Sequence, residues 1–170
     1  MATIKPVNVG IIGTGNISKA YAEGCGKYDF LNLTACADIR LEAAEAFGET
    51  WGVQPMTVDD LLADPSIDVI INLTIPAVHA EVSLAILEAG KHVYLEKPLA
   101  TSLTDGMKVM QTAKEKGLRV GCAPDTFLGG GIQTARKLID EGWIGTPVGA
   151  TAVFLNRGME HWHPNPGFFY

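Results

Sequence analysis

Val7-Asn8-Val9-Gly10-Ile11-Ile12-Gly13-Thr14-Gly15-Asn16-Ile17-Ser18 is the stretch whose reading decides the fold. A short β-branched apolar run ends in a glycine cluster, and beyond it Ile17, Ala20, Tyr21 and Gly24 recur at helical spacing. That order predicts a strand buried on both faces, a tight turn, and a helix over residues 16–28. The turn reads G-x-G-x-x-S. Gly13 suits the sharp bend, and Gly15 lets the backbone approach a pyrophosphate at the helix N-terminus. The small Ser18 takes the place of a third glycine and keeps helix and strand close. The competing reading is a structural turn in an α/β protein that binds no nucleotide.

The same alternation continues outward. Residues 31–37 predict a second strand, 40–51 a helix rich in Ala and Glu, and 59–62 a helical turn before the break at Asp64-Pro65-Ser66. Val69-Ile70-Ile71-Asn72-Leu73 is the clearest buried strand, followed by a helix over 77–89 that Gly90 stops. A strand over 91–95, a helix over 103–116 capped by Thr101 or Ser102 and stopped by Gly117, and a strand over 118–122 complete the series. Strands separated by helices of this length mean βαβ units and a doubly wound parallel sheet, complete by Cys122. After Cys122 the character changes. Gly129-Gly130-Gly131 opens a helix to about Glu141, ended by Gly142, and residues 147–155 alternate as a half-exposed strand should. The last segment has no periodicity and stops on three aromatics, so a second core is begun and not closed.

With 47% hydrophobic and 19% charged residues in 170, the chain has ample material for a core, which excludes disorder. Thirteen Lys and Arg against 19 Asp and Glu leave a net charge of -6, a surface that repels phosphate backbones, so no nucleic acid is expected as partner. No apolar run reaches the ~18 to 20 residues that span a bilayer, and no membrane association is expected. The N-terminal residues show no charged region followed by an apolar stretch, which points to the cytoplasm. Cys25, Cys36 and Cys122 have no C-x-x-C spacing and read as reduced thiols, with no metal site implied.

Four more places carry chemistry. Asp38 ends the second predicted strand, 25 positions after Gly13, where a carboxylate accepts hydrogen bonds from adenosine ribose hydroxyls. Its charge favours NAD by repelling the 2′-phosphate of NADP. Arg40, two residues on, is placed to swing toward such a phosphate, which keeps NADP open; otherwise it is an ordinary solvated charge. Thr74 and Pro76 follow the strongest strand, on the nicotinamide-ribose side of the cleft, and His79 begins the next helix either beside the cofactor or as a packing histidine. Glu96-Lys97-Pro98 closes the next strand. A lysine there, beside a nicotinamide, can hydrogen-bond a substrate hydroxyl or help move its proton. Standing alone, a Lys-Pro pair would be a surface loop.

Together, Gly13-Thr14-Gly15-Asn16-Ile17-Ser18, Asp38, Thr74-Ile75-Pro76 with His79, and Glu96-Lys97-Pro98 resemble the Gfo/Idh/MocA family of NAD(P)-dependent oxidoreductases, from about Val7 through Tyr170. Glu96-Lys97-Pro98 is the most specific feature. The resemblance implies a Rossmann domain followed by an α/β domain with an open, mainly antiparallel sheet. It implies hydride transfer between a nicotinamide cofactor and a small molecule of the sugar or polyol class, with Lys97 as the catalytic lysine and Glu96 and Pro98 holding cofactor and lysine in place. It also implies a homo-oligomer, dimer or tetramer, assembled through the open sheet of the full-length protein.

The departure concerns the family's D-x-x-x-H motif, which supplies an acid/base histidine. None of His79, His92, His161 and His163 has an Asp four places before it. The chain therefore reads as a front half, inactive alone, with residues 1–122 the dinucleotide-binding domain and 123–170 the beginning of the substrate and oligomerisation domain. A truncated piece is favoured over a naturally shortened relative. A non-catalytic dinucleotide-binding or sensing module is the alternative function. A hydrolase built on Cys122 or Ser18 lacks a base at suitable spacing. Asp125 and Thr126, past the last strand, are candidates for substrate hydroxyls or for a hinge. Gly129-Gly130-Gly131 lacks the G-K-[ST] of a phosphate loop. His161 and His163 stand two apart as a metal pair would, yet without a third ligand a cleft or packing role is preferred, and His163 is carried as a substrate contact.

Overall fold

The computed structural model describes residues 5–161 and 166–169, and the chain divides into two units, Met1–Asp125 and Thr126–Tyr170. In the first, β1 (Val7–Ile12), β2 (Leu31–Ala37), β3 (Gln54–Met56), β4 (Val69–Asn72), β5 (His92–Leu95) and β6 (Val120–Cys122) form one sheet in the order β3-β2-β1-β4-β5-β6. Every pairing is parallel. This is the doubly wound order, and its reversal falls between β1 and β4, so the crevice at the carboxyl ends of those two strands is where such sheets hold ligands.

The two faces of the sheet are covered by different helices. Val9, Ile11, Cys36 and Ile71 pack with Ala22 and Cys25 of α1 (Ser18–Cys25) and with Ala44 and Phe47 of α2 (Leu41–Trp51). Ile12, Ala35, Ala37, Ile70 and Val93 point the other way, onto α3 (Val58–Ala63), α4 (His79–Glu88) and α5 (Leu103–Lys116). Neighbouring strand residues alternate between the faces, as the pleat requires. Because both faces are covered, the central strands read as unbroken apolar runs rather than alternating ones. Gly10 lets α3 come close to β1, since a Cβ there would sit 3.2 Å from Leu61.

Local signals set the helix ends. Of the two cap candidates for α5, Ser102 serves: its hydroxyl accepts from the Asp105 amide at 3.1 Å and donates to the Asp105 carboxylate at 2.6 Å. Gly117 ends α5 in the left-handed region. Two expectations need correction. β3 was not foreseen, because Gln54-Pro55-Met56 carries a proline and no apolar pattern; it is the edge strand, where a missing N–H costs no ladder bond. Residues 147–155 join no ladder among the described residues, and a lone alternating segment without a partner has nowhere to place its backbone hydrogen bonds.

The second unit is described by itself. A 3-10 turn at Thr126–Leu128 leads into α6 (Gly130–Asp140), which carries Ile132, Ala135 and Ile139 at helical spacing and is laced by Arg136 to Asp140 at 2.6 Å and Lys137 to Glu141 at 3.7 Å. The open antiparallel sheet expected to follow is not formed among its described residues.

Candidate functional site

At the carboxyl end of β1 the site is made of backbone. Gly13 sits at φ +97°, and a Cβ there would lie 2.8 Å from the main chain of Leu73, so the bend admits glycine alone. Its amide donates to Ala37 O at 2.8 Å, which fastens the loop to β2. Gly15 is the opposite case: a Cβ there would meet nothing within 4 Å, so its backbone lies open to an approaching group. Ser18 is buried and its hydroxyl donates to Gly15 O at 2.6 Å, closing the turn where a third glycine was expected to be replaced. The amides of Asn16 and Ile17, just ahead of α1, have no partner among the described residues. Such orphan donors at a helix N-terminus are what a phosphate requires.

Asp38 is held against this loop. Its Oδ2 accepts from the Thr14 amide at 2.8 Å and the Thr14 hydroxyl at 3.1 Å, and its Oδ1 accepts from the Arg40 amide at 3.0 Å. A carboxylate has about four acceptor directions, so with three taken one remains on Oδ1 for a ribose hydroxyl. The open cradle at Gly15, the unpaired amides and this fixed carboxylate fit the pyrophosphate and adenosine ribose of a dinucleotide. Arg40 is exposed at the N-cap of α2, and its backbone, not its guanidinium, makes the contact with Asp38. Below Asp38, burial first and then the Asp38 charge push the Cys36 thiol up to about 11, and the thiol rests 3.3 Å from Ala44 O. Cys36 is therefore a packing thiol, as is Cys25, whose thiol burial also pushes up.

At the ends of β4 and β5 the site is made of side chains. Asn72 is fully buried: its Nδ2 donates to His79 O at 3.0 Å and Ser83 Oγ at 3.1 Å, and its Oδ1 accepts from the Thr74 amide at 3.2 Å and hydroxyl at 2.6 Å. His79 is 1% exposed, with Nδ1 at 2.6 Å from Pro98 O and Nε2 at 2.9 Å from Thr74 O. Of the two readings open for His79, this geometry fits the packing histidine. Both ring nitrogens face carbonyls of the protein and neither is left for a ligand. Pro76 begins the 3-10 turn Pro76–Val78, which joins this cluster to α4.

Glu96 follows β5. Its Oε1 accepts from the Tyr21 hydroxyl at 2.9 Å and its Oε2 from the Lys97 amide at 2.9 Å. Burial, and then the Glu96 carboxylate it donates to, push the Tyr21 phenol up from its ordinary range. Lys97 is exposed, and the Lys97–Pro98 peptide is cis. Motif reading missed Asn72, Ser83 and Tyr21. Only Asn72 carried a signal, an amide residue at the end of an otherwise apolar strand.

A concavity of about 740 Å³ in the first unit lies away from Gly13 and Gly15. It is an apolar groove beside α1, lined by Ile17, Tyr21, Ile71 and Tyr94, with Glu96 and Asp125 also on it. Its size follows from the topology, since α3, α4 and α5 all cover the opposite face. Gly13, Asp38, Thr74 and Lys97 do not line it. Asp125 is exposed on this groove and Thr126 opens the second unit, while His163 lies outside the described residues. Among the described residues no cluster of three His, Cys, Asp or Glu could hold a metal, and no helix is long and apolar enough to cross a membrane.

Comparison with known proteins agrees with this geometry. Residues 7–123 match the model of an oxidoreductase family with an NAD-binding Rossmann fold. An inositol 2-dehydrogenase/D-chiro-inositol 3-dehydrogenase of Lacticaseibacillus casei is 30% identical over 160 residues, covering 90% of this chain and 46% of that protein. Biliverdin reductase from Synechocystis sp. PCC 6803, solved with biliverdin and NADP+, superposes with a TM-score of 0.74 at 34% identity, over 81% of this chain and 44% of its own. The WlbA dehydrogenase of Bordetella pertussis, solved with NADH and UDP-GlcNAcA, gives 0.78 at 27% identity, over 84% and 42%. The chain thus spans about half the length of the curated relatives it matches.

Proposed function

The chain belongs to the Gfo/Idh/MocA family of NAD-binding oxidoreductases, and from that premise we propose that it is the cofactor-binding half of a dehydrogenase or reductase acting on a hydroxyl or keto compound of the sugar or polyol class. The observation that carries the reading is the pairing of an open glycine cradle with a carboxylate fixed beside it, Gly15 and Asp38. The amides of Asn16 and Ile17 hold the pyrophosphate, Asp38 the adenosine ribose, and Thr74, Pro76 and Pro98 flank the nicotinamide. When bound, the nicotinamide ring supplies or accepts the hydride.

Lys97 is the catalytic lysine in this proposal. Its ammonium donates a hydrogen bond to the substrate oxygen at the reacting carbon, fixes that oxygen, and takes part in moving its proton. Glu96 holds the Lys97 backbone and has no direct part in the proton's path. Asp38 favours NAD over NADP, because a second negative charge on the ribose would face it without an intervening cation. The sugar and polyol class is supported by relatives such as the Lacticaseibacillus inositol dehydrogenase and the Bordetella enzyme bound to a UDP-sugar. Residues 1–122 form the dinucleotide-binding domain, and 123–170 begin a substrate and oligomerisation domain through which the whole protein assembles as a dimer or tetramer.

Titration of NADH with the folded chain tests the reading. Saturable enhancement of the nicotinamide fluorescence is expected, weakened about tenfold or more in Asp38→Ala. A folded chain that binds neither NADH nor NADPH refutes it. In the longer protein, Lys97→Ala should lower kcat by orders of magnitude with cofactor affinity little changed.

A further inference from the structure

The Lys97 side chain is exposed, so its placement is decided by the backbone of residues 96–98. That backbone is tied down on both flanks by residues outside the motif. On one side, Glu96 accepts from the Tyr21 hydroxyl through one oxygen and from the Lys97 amide through the other. Tyr21 stands on α1, the helix whose first turn forms the edge of the glycine loop. On the other side, His79 reaches Pro98 O with Nδ1 and Thr74 O with Nε2. Asn72 fixes the base of that contact by donating to the carbonyl of His79 itself.

We propose that Tyr21 and His79 are positioning residues that brace Lys97 from its two flanks, each tying the lysine segment to a different cofactor loop. The proposal rests on the cofactor-binding reading above and adds to it the coupling between the halves of the site. Each tie is a hydrogen bond in partly or fully desolvated surroundings, where it is stronger than in water. A neutral imidazole carries one N–H and donates to one carbonyl in each tautomer, so the Pro98 tie requires the proton on Nδ1. With the proton there, the link from His79 to the Thr74 loop runs through Asn72, which donates to His79 O and accepts from Thr74. Neither residue touches the reacting atoms in this arrangement, and both act through the placement of Lys97.

The test uses the chain itself with three variants. Tyr21→Phe removes one oxygen and keeps the ring packed against Tyr94, 6.4 Å between centroids. His79→Asn places an amide nitrogen near the position of Nδ1 and preserves the Pro98 tie; His79→Gln places it near Nε2 and gives that tie up. Amide exchange of Glu96 and Lys97, resolved by NMR, reports the brace directly. NADH affinity set against ADP affinity reports its consequence, since ADP reaches only the Gly13–Asp38 half. Tyr21→Phe and His79→Gln are expected to speed Lys97 amide exchange about fivefold and to weaken NADH by a similar factor, with ADP unchanged and His79→Asn close to the parent. Unchanged exchange in both variants overturns the brace, as does an equal loss of NADH and ADP affinity, which would mark a general role in the fold. If the parent binds neither nucleotide while Lys97 exchange still responds, the cofactor reading falls and the brace stands.

Discussion

At the carboxyl end of β1 the polar groups that face outward are backbone amides, whereas at the ends of β4 and β5 they are side chains folded inward on one another. Gly13 and Gly15 work by lacking a Cβ, one because Leu73 leaves no room and the other because nothing must stand above it. Asn72 works by bonding Thr74, Ser83 and the carbonyl of His79 at once beneath the surface. The first half offers unsatisfied donors to a ligand and the second spends its donors on holding a shape. An edge built this way leaves donors open to an anion on one side and holds its side chains to one another on the other.

The largest effect that would break this comparison is at Gly13. Gly13→Ala combines a positive φ with a backbone clash and should cost about 2–4 kcal/mol, read as a lower urea midpoint. Gly15→Ala, in open space, should change stability by less than about 1 kcal/mol and weaken NADH binding instead. A large stability loss at Gly15 would mean that the cradle is structural. Next is Asn72→Leu, which strands the Thr74 amide and hydroxyl and the Asn72-bound carbonyl of His79. It should lower stability by about 2–3 kcal/mol at unchanged m-value. If it is neutral, the second half is not held by this network.

A smaller effect sharpens the first half. The Cys36 thiol is pushed from 9.0 to about 11 in the fold. Its contribution is fully present below pH 9, where the unfolded thiol is neutral too, and is lost as pH rises through 11. The parent should therefore lose stability across pH 9–11 more steeply than Cys36→Val in matched denaturation curves. The smallest effect is expected at Arg40. Arg40→Ala should leave NADH affinity within about twofold and weaken NADPH a few-fold, because the guanidinium is solvated. A large NADH loss would place Arg40 on the shared adenosine ribose.

The same contrast explains what the sequence made legible. β1, β2 and α5 are found where the pattern placed them, since burial on both faces, a glycine stop and a serine cap are local demands. The glycine loop and Asp38 are legible for the same reason: a bend and a carboxylate at strand ends keep their spacing in any chain of this topology. His79 was left between two roles because its partners, Thr74 and Pro98, are chosen by the folding of two loops onto one another. Tyr21 gave no signal, because an aromatic on an amphipathic helix looks like core until its hydroxyl meets Glu96 from across the sheet. Residues 147–155 show the converse error, where a correct local pattern lacks the partner strand that would make it a ladder.

The central claim is that one dinucleotide spans both halves of this edge. Backbone amide shifts of the isotope-labelled chain, followed during separate titrations with NAD+ and ADP, test it most directly. The account predicts that ADP moves Gly13 to Ser18 and Asp38 only, and that NAD+ moves these together with Thr74 and Lys97. Shifts confined by both ligands to Tyr28, Ile71 and Tyr94 would place the ligand in the apolar groove and contradict it.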